Sequence, residues 1–167
     1  LIKHRGPDST RHIFGKEKNY SFCMFFNRLK IIDLSNKANQ PFEFKNRYLI
    51  VFNGEIYNYL EIKKFLKKKK FNFKTESDTE VLLKAYEYWG ENCVDHFDGM
   101  WAFCIFDYKK NHVFFSRDNF GEKPLYYHFD GKNLVFGSEI KYLNEILDKN
   151  LPKELNKNKI YDYLAKG

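Results

Sequence analysis

The apolar positions of this chain follow two different periods. Residues 20–33, YSFCMFFNRLKIID, are aromatic and β-branched without a helical repeat, so they predict a strand whose apolar character breaks at Asn27-Arg28. Residues 47–52, RYLIVF, predict a second strand ending at Asn53-Gly54, a pair that tolerates positive φ and commonly forms a turn. Over 56–70 the period lengthens to that of a helix. Tyr59, Ile62, Phe65 and Leu66 share a face, while Glu61, Lys63, Lys64 and the four lysines 67–70 are expected in solvent at the cationic C-terminal end. Ser77-Asp78-Thr79-Glu80 reads as a capping box with Ser77 as N-cap and Glu80 at N3. The helix it opens carries Val81, Leu82, Ala85, Tyr86 and Trp89 on one stripe and stops at Gly90. Strands follow over 100–107 and 113–117, then a hairpin in which LYYHF turns at Asp130-Gly131 into LVFG, then short helices over 139–147 and 157–166. Many strands joined by short turns around a central helix pair predict an α+β fold with mainly antiparallel sheets.

Composition narrows the function classes. At 167 residues and 20.2 kDa, with 43% hydrophobic and 19% aromatic residues, the chain can fill one core, which excludes intrinsic disorder. No apolar run has the length of a membrane span and no signal-peptide pattern opens the chain, so no membrane partner is expected. The net charge of +7 raises the question of nucleic acid, but 24 of the 29 cations are Lys. Arg is the residue that forks onto phosphate and guanine, so no nucleic-acid partner is expected. Cys23, Cys93 and Cys104 are widely spaced, with no CxxC pair and no zinc-like His cluster. They read as buried free thiols of a cytoplasmic protein, with no metal site.

Four segments hold polar residues that a purely structural sequence does not need. His4-Arg5-Gly6-Pro7-Asp8-Ser9 offers a cation, a carboxylate and a rigid loop, or is an ordinary surface turn. Arg28, in a mostly apolar strand, needs an anion, which is either a substrate carboxylate held through two parallel hydrogen bonds or an internal Asp or Glu. Asn53-Gly54 can converge a side-chain amide and a backbone N–H on one oxygen, the minimal oxyanion hole, or can be a plain turn. Asp78, at N1 of the capped helix, is expected to stay ionised near neutral pH, either to receive an ammonium group or simply to complement the helix dipole. A fifth, charged segment, 117–127, reads as scaffold, with Arg117 and Asp118 tying a loop to the sheet.

Taken in order, these strings resemble the glutaminase domain of glutamine-hydrolysing asparagine synthetases, a class II (N-terminal-nucleophile) glutamine amidotransferase. The resemblance rests on HRGPDS at 4–9, RLKIIDLS at 28–35, NQPF at 39–42, NGEIYNYLE at 53–61, ESDTEVLL at 76–83, FDGMWAFCIFD at 97–107, RDNFGEKPLYY at 117–127 and FGSEIKYL at 136–143. It implies a four-layer αββα sandwich of two mainly antiparallel sheets, as in N-terminal-nucleophile hydrolases. It also implies a site for L-glutamine: Asn53 and Gly54 as the oxyanion hole, Arg28 on the α-carboxylate, the backbone at Ile31 and Ile32 lining the site, and Glu55 and Asp78 on the α-ammonium.

In the resembled family an N-terminal Cys attacks the glutamine amide, and its own α-amine serves as base. Leu1 carries an amine but no thiol, so this chain by itself is expected not to hydrolyse glutamine. Residues 1–154 are accordingly expected to be an N-terminally truncated amidotransferase domain, and 155–167 the lead-in to an ATP-dependent synthetase domain. No cofactor is expected in the amidotransferase domain; ATP and Mg2+ are expected in the synthetase domain, which amidates aspartate. That domain is the expected partner in the same full-length chain, and a homodimer is compatible with the resemblance. Two alternatives differ in class: an amidotransferase for another acceptor carboxylate, and a vestigial, non-catalytic glutaminase-like module.

Overall fold

A computed structural model describes residues 3–16, 19–147 and 156–166. The chain divides into two compact units, Leu1–Leu125 and Tyr126–Gly167. In the first, β1 (Ser9–Lys16) pairs antiparallel with β2 (Ser21–Arg28). A four-stranded antiparallel sheet has the order β3 (Phe42–Phe44), β4 (Tyr48–Ile56), β5 (Gly99–Asp107), β6 (His112–Arg117). Two helices, α1 (Tyr59–Lys68) and α2 (Asp78–Trp89), lie in sequence between β4 and β5.

The alternation of β4 explains the layering. Tyr48, Ile50, Phe52 and Ile56 join Phe103 and Ile105 of β5 in a core with Ile62 and Leu66 of α1 and Val81, Leu82, Ala85 and Tyr86 of α2. The opposite residues, Leu49, Val51, Cys104 and Phe106, are also buried. They face the β1–β2 hairpin, whose Phe22 ring stands 5.1 Å edge-on from Phe106. Coverage on both faces is why 47–52 reads as an unbroken apolar run rather than an alternating one. Each such fully buried aliphatic side chain contributes about 1.5–3 kcal/mol.

In the second unit β7 (Tyr126–Phe129) and β8 (Leu134–Gly137) form a hairpin. Its turn is closed by the Asp130 carboxylate, which accepts from Lys132 N–H at 2.9 Å and Asn133 N–H at 2.6 Å. The helices α3 (Ile140–Ile146) and α4 (Lys157–Lys166) follow, and α4 buries no side chain within the described residues. The boundary expected at 154/155 lies outside the described residues.

The expected α+β class with antiparallel sheets is what the chain adopts; the described strands form sheets of two, four and two. Several local expectations are corrected. The strand expected over 20–33 ends at Arg28, because the chain then loops so that carbonyls at 33 and 35 can receive the Arg28 guanidinium. Asn53-Gly54 is not a turn: both residues lie inside β4, opposite Ala102 and Trp101. Strand β1, over residues for which the sequence predicted no element, and the short β3 are additional. Lys63 is buried rather than exposed, and Phe65, assigned to the inner face, is partly in solvent. Cys23 is exposed, because it alternates outward on β2, while Cys93 and Cys104 are buried as expected.

Candidate functional site

Arg28 closes β2, and it is 6% exposed. Its Nη1 donates to the Ser35 carbonyl and to Asn39 Oδ1, each at 2.9 Å, and Nη2 donates to the Asp33 carbonyl. Among the described residues no carboxylate lies within ion-pair distance of it. Desolvation lowers its pKa, against the raising fields of Asp33, Asp78 and Asp8. Three of its five N–H donors are thus spent, two on carbonyls of the 29–35 loop and one on Asn39, and two have no acceptor among the described residues.

Asp33 fastens the same loop to the entry of α2, its carboxylate accepting from Ser35 N–H at 2.7 Å and Glu76 N–H at 2.8 Å. Within the loop, Ile31 is exposed and Ile32 half-buried. Asp8, from the HRGPDS segment, supports it from the other side by accepting from Lys30 N–H at 2.8 Å. Gly6 is buried there, and a Cβ on it would overlap the Asn27 carbonyl, so the segment is a close packing of backbones rather than a free surface turn.

Helix α2 begins at Asp78 with Ser77 as N-cap, the Ser77 hydroxyl accepting from Thr79 N–H at 3.1 Å. The expected reciprocal bond from Glu80 does not form. Instead the buried Glu80 carboxylate accepts from Lys74 N–H at 3.0 Å, from Thr75 N–H and hydroxyl at 2.7 Å each, and pairs with Lys84 Nζ at 2.5 Å. Burial opposes its ionisation, but Lys84, Thr75 and the backbone outweigh that and hold its pKa below the usual value. This network, with Lys63 Nζ on the Thr75 carbonyl at 3.0 Å and on Glu76 at 2.6 Å, locks the chain before α2 and so fixes where Asp78 points.

Asp78 itself is buried and accepts from Ile56 N–H at 3.2 Å and Thr79 N–H at 2.9 Å. Burial raises its pKa to about 6, and the nearby Glu55 carboxylate adds to the rise against the lowering backbone bonds. The helix terminus thus does not keep it as strongly ionised as the sequence suggests; desolvation wins. No described cation stands within ion-pair distance of either carboxylate.

The β4 edge carries the third part of the site. Trp101 of β5 spends both backbone groups on Asp118: Asp118 N–H donates to its carbonyl at 2.8 Å, and its own N–H donates to Asp118 Oδ2 at 3.3 Å. Gly54, opposite Trp101, is therefore a non-hydrogen-bonded pair member, and its N–H turns to the outer edge of β4. On that edge Phe52 N–H is accepted by Gln40 Oε1 at 2.6 Å and Ile56 N–H by Asp78. Gly54 N–H between them has no acceptor among the described residues. A Cβ at Gly54 would overlap the Met100 carbonyl and stand 2.7 Å from Trp101 Cα, so only glycine fits. Next to it, the Asn53 Nδ2 amide is buried without any hydrogen-bond partner, a costly state for a native donor unless a ligand completes it. Asn53 and Glu55 alternate onto the face of β4 opposite Phe52 and Ile56.

The 117–125 loop is scaffold, as its composition suggests. Asp118 accepts from the backbone N–H groups of Phe120, Glu122 and Lys123 at 2.9–3.1 Å as well as from Trp101. Burial opposes its charge, but these four bonds depress its pKa. Arg117 donates to the Lys123 carbonyl at 2.7 Å and to that of Gly121.

Sequence reasoning singled out Arg28, Asn53, Gly54, Glu55 and Asp78 but missed Asp33, Asn39 and Gln40, which hold them. The signal was available in NQPF at 39–42, a string quoted for its resemblance but given no role. The two buried thiols are held protonated: burial pushes Cys93 up to about 12 and Cys104 higher still. No group of described His, Cys, Asp and Glu residues is arranged to hold a metal ion. No described helix is long and apolar enough to cross a membrane.

The candidate site thus offers, among the described residues, a buried cation without an ion-pair partner, two carboxylates without a cation and two neutral donors without an acceptor. The protein named "Putative asparagine synthetase (glutamine-hydrolyzing) 2" of Methanocaldococcus jannaschii is 44% identical over 99% of this chain, which spans 35% of it. Asparagine synthetase (glutamine-hydrolyzing) 1 of Bacillus subtilis is 39% identical over 99% of this chain, which spans 25% of it. The chain therefore spans about a quarter to a third of the length of these relatives. Among solved structures, the glutamine phosphoribosylpyrophosphate amidotransferase of B. subtilis, complexed with ADP and GMP, superposes with a TM-score of 0.69 at 19% identity. That match covers 86% of this chain and 38% of the other, and it speaks to the fold. The family of glutamine amidotransferase domains matches residues 1–167, the whole length, and the chain belongs to that family.

Proposed function

We propose that these residues form the glutamine site of a glutamine-hydrolysing asparagine synthetase. The observation that carries the reading is the set of groups unmet among the described residues: Arg28 without an anion in ion-pair distance, Glu55 and Asp78 without a cation, and Asn53 Nδ2 without an acceptor. L-Glutamine supplies each missing partner. Its α-carboxylate meets the two free N–H groups of Arg28, beside the backbone at Ile31 and Ile32. Its α-ammonium lies between Glu55 and Asp78. Its side-chain carbonyl oxygen receives Asn53 Nδ2–H and Gly54 N–H.

The donors matter most after attack. When a thiolate adds to the amide carbon, the carbonyl electron pair moves onto oxygen, and neutral donors aimed there stabilise that charge more than they stabilise the ground state. The nitrogen takes a proton and leaves as ammonia, and water then cleaves the thioester to glutamate and the restored thiol. The described residues supply binding and oxyanion stabilisation. None of Cys23, Cys93 and Cys104 pairs a thiol with a free α-amine, so none of them is assigned the nucleophile's role. We propose further that the ammonia serves aspartate amidation in a synthetase domain of the same full-length protein, a reading supported by relatives named asparagine synthetase. ATP and Mg2+ belong to that chemistry, and no step above is routed through them.

Calorimetric titration of the chain with L-glutamine tests the reading, with D-glutamine and L-glutamate as comparators. Saturable binding of L-glutamine, lost in Arg28→Lys because an ammonium cannot reproduce the fork, is the expected result. No binding by the parent chain would overturn it.

A further inference from the structure

The outer edge of β4 meets a different kind of partner at Ile50, at Phe52 and at Ile56. At Ile50 it is strand β3, through the Phe42 pairing. At Phe52 it is a side chain: Gln40 Oε1 accepts Phe52 N–H at 2.6 Å and Gln40 Nε2 donates to the Phe52 carbonyl at 3.0 Å. Gln40 thereby copies, with its amide, both ladder bonds of a strand residue. At Ile56 the partner is Asp78. Among the described residues the slot between, at Gly54, has no partner, and a longer β3 would fill it.

The two clamps flanking the open slot share an anchor. Gln40 Nε2 also donates to the hydroxyl of Thr79 at 3.3 Å, and Thr79 is the residue after Asp78 in the first turn of α2. Gln40 is 6% exposed and Thr79 is 3% exposed, so this amide is desolvated and each bond is costly to leave unmade. The carboxylate that awaits the ammonium and the strand that carries the oxyanion donors are joined through a single side chain.

We infer that Gln40 is a positioning residue for glutamine recognition: it ends the ladder one residue before the oxyanion donors, keeps the Gly54 N–H slot open, and ties its spacing to Asp78. This rests on the glutamine reading of the site. Gln40 touches no atom of the substrate itself. A leucine in its place has similar bulk but leaves Phe52 N–H and C=O unpaired, and it frees β4 to shift relative to α2.

The test compares the parent chain, Gln40→Leu, and Ile62→Val, a core substitution in α1 that lowers stability without touching this edge. L-Glutamine affinity is measured by calorimetry, and the amide signals of Gly54 and of the Asn53 side chain are followed by NMR. Gln40→Leu is expected to weaken glutamine binding by about tenfold or more and to move both signals, whereas Ile62→Val leaves both in place. Gln40→Glu, which keeps the acceptor for Phe52 N–H but loses the donor, should show the same direction of change. If Gln40→Leu folds, keeps the Gly54 and Asn53 signals and binds glutamine like the parent, the inference is overturned while the glutamine reading stands. If Gln40→Leu does not fold, Gln40→Glu decides in the same way. If the parent binds no glutamine, the reading and this role fall together.

Discussion

Asp78→Asn should stabilise the empty protein at neutral pH while destroying its site. The Asp78 carboxyl is buried, and desolvation, aided by Glu55, raises its pKa from 3.8 to about 6. The sign follows from proton linkage. Between these two values the folded state holds a proton that the unfolded chain has released, so the contribution to stability is complete below 3.8 and lost as pH rises through 6. At about 1.4 kcal/mol per pH unit the loss amounts to about 3 kcal/mol. Asparagine resembles the protonated acid and never ionises. Urea unfolding followed by Trp fluorescence should therefore give nearly matching stabilities near pH 4. Above pH 7 the variant should be more stable by about 3 kcal/mol. Glutamine affinity should behave oppositely: in the parent it strengthens as pH rises through 6 and levels above about 7, and in the variant it is weak throughout. A stability gap independent of pH would refute the reasoning, because it would mean that Asp78 titrates like an exposed carboxylate.

Two further substitutions separate architecture from chemistry. Asn53→Ala removes a buried donor that has no partner, so the fold should lose less than about 1 kcal/mol; in the full-length protein, ammonia release from glutamine should fall by about 100 to 1,000-fold. Unchanged release would count against the oxyanion role. Lys84→Met strands the buried Glu80 carboxylate and should cost about 3–5 kcal/mol, read by denaturant unfolding. Adding Glu80→Gln should recover much of that loss, and equal instability of the single and double variants would contradict the pairing.

The pieces of the site were legible before their arrangement was. Arg28 stood out as a guanidinium in an apolar strand, and Asp78 as an acid at a capped helix start, because charge type and secondary-structure period are local properties. What surrounds them is not local. Gln40 looks like an ordinary loop amide until the fold brings it to Phe52, 12 positions on, and to Thr79, 39 positions on. Glu80 fits a capping box by spacing, but tertiary contact offers it Lys84, Thr75 and the Lys74 backbone, and those bonds win.

Asn53-Gly54 marks the division most clearly. As a dipeptide it favours a turn, because nothing in its neighbours reveals that β5 will lie alongside. In the folded chain Trp101 and Met100 press on Gly54 so closely that its lack of a side chain, not its freedom of φ, is what is used. The sequence by itself determined the class of fold, through its two hydrophobic periods, and the charges available for a zwitterionic ligand. Tertiary structure alone decided which of those charges are left unpaired, since that depends on every partner brought from distant parts of the chain. It also decided that the Gly54 N–H stays open, because a strand edge is defined by where the neighbouring strand stops.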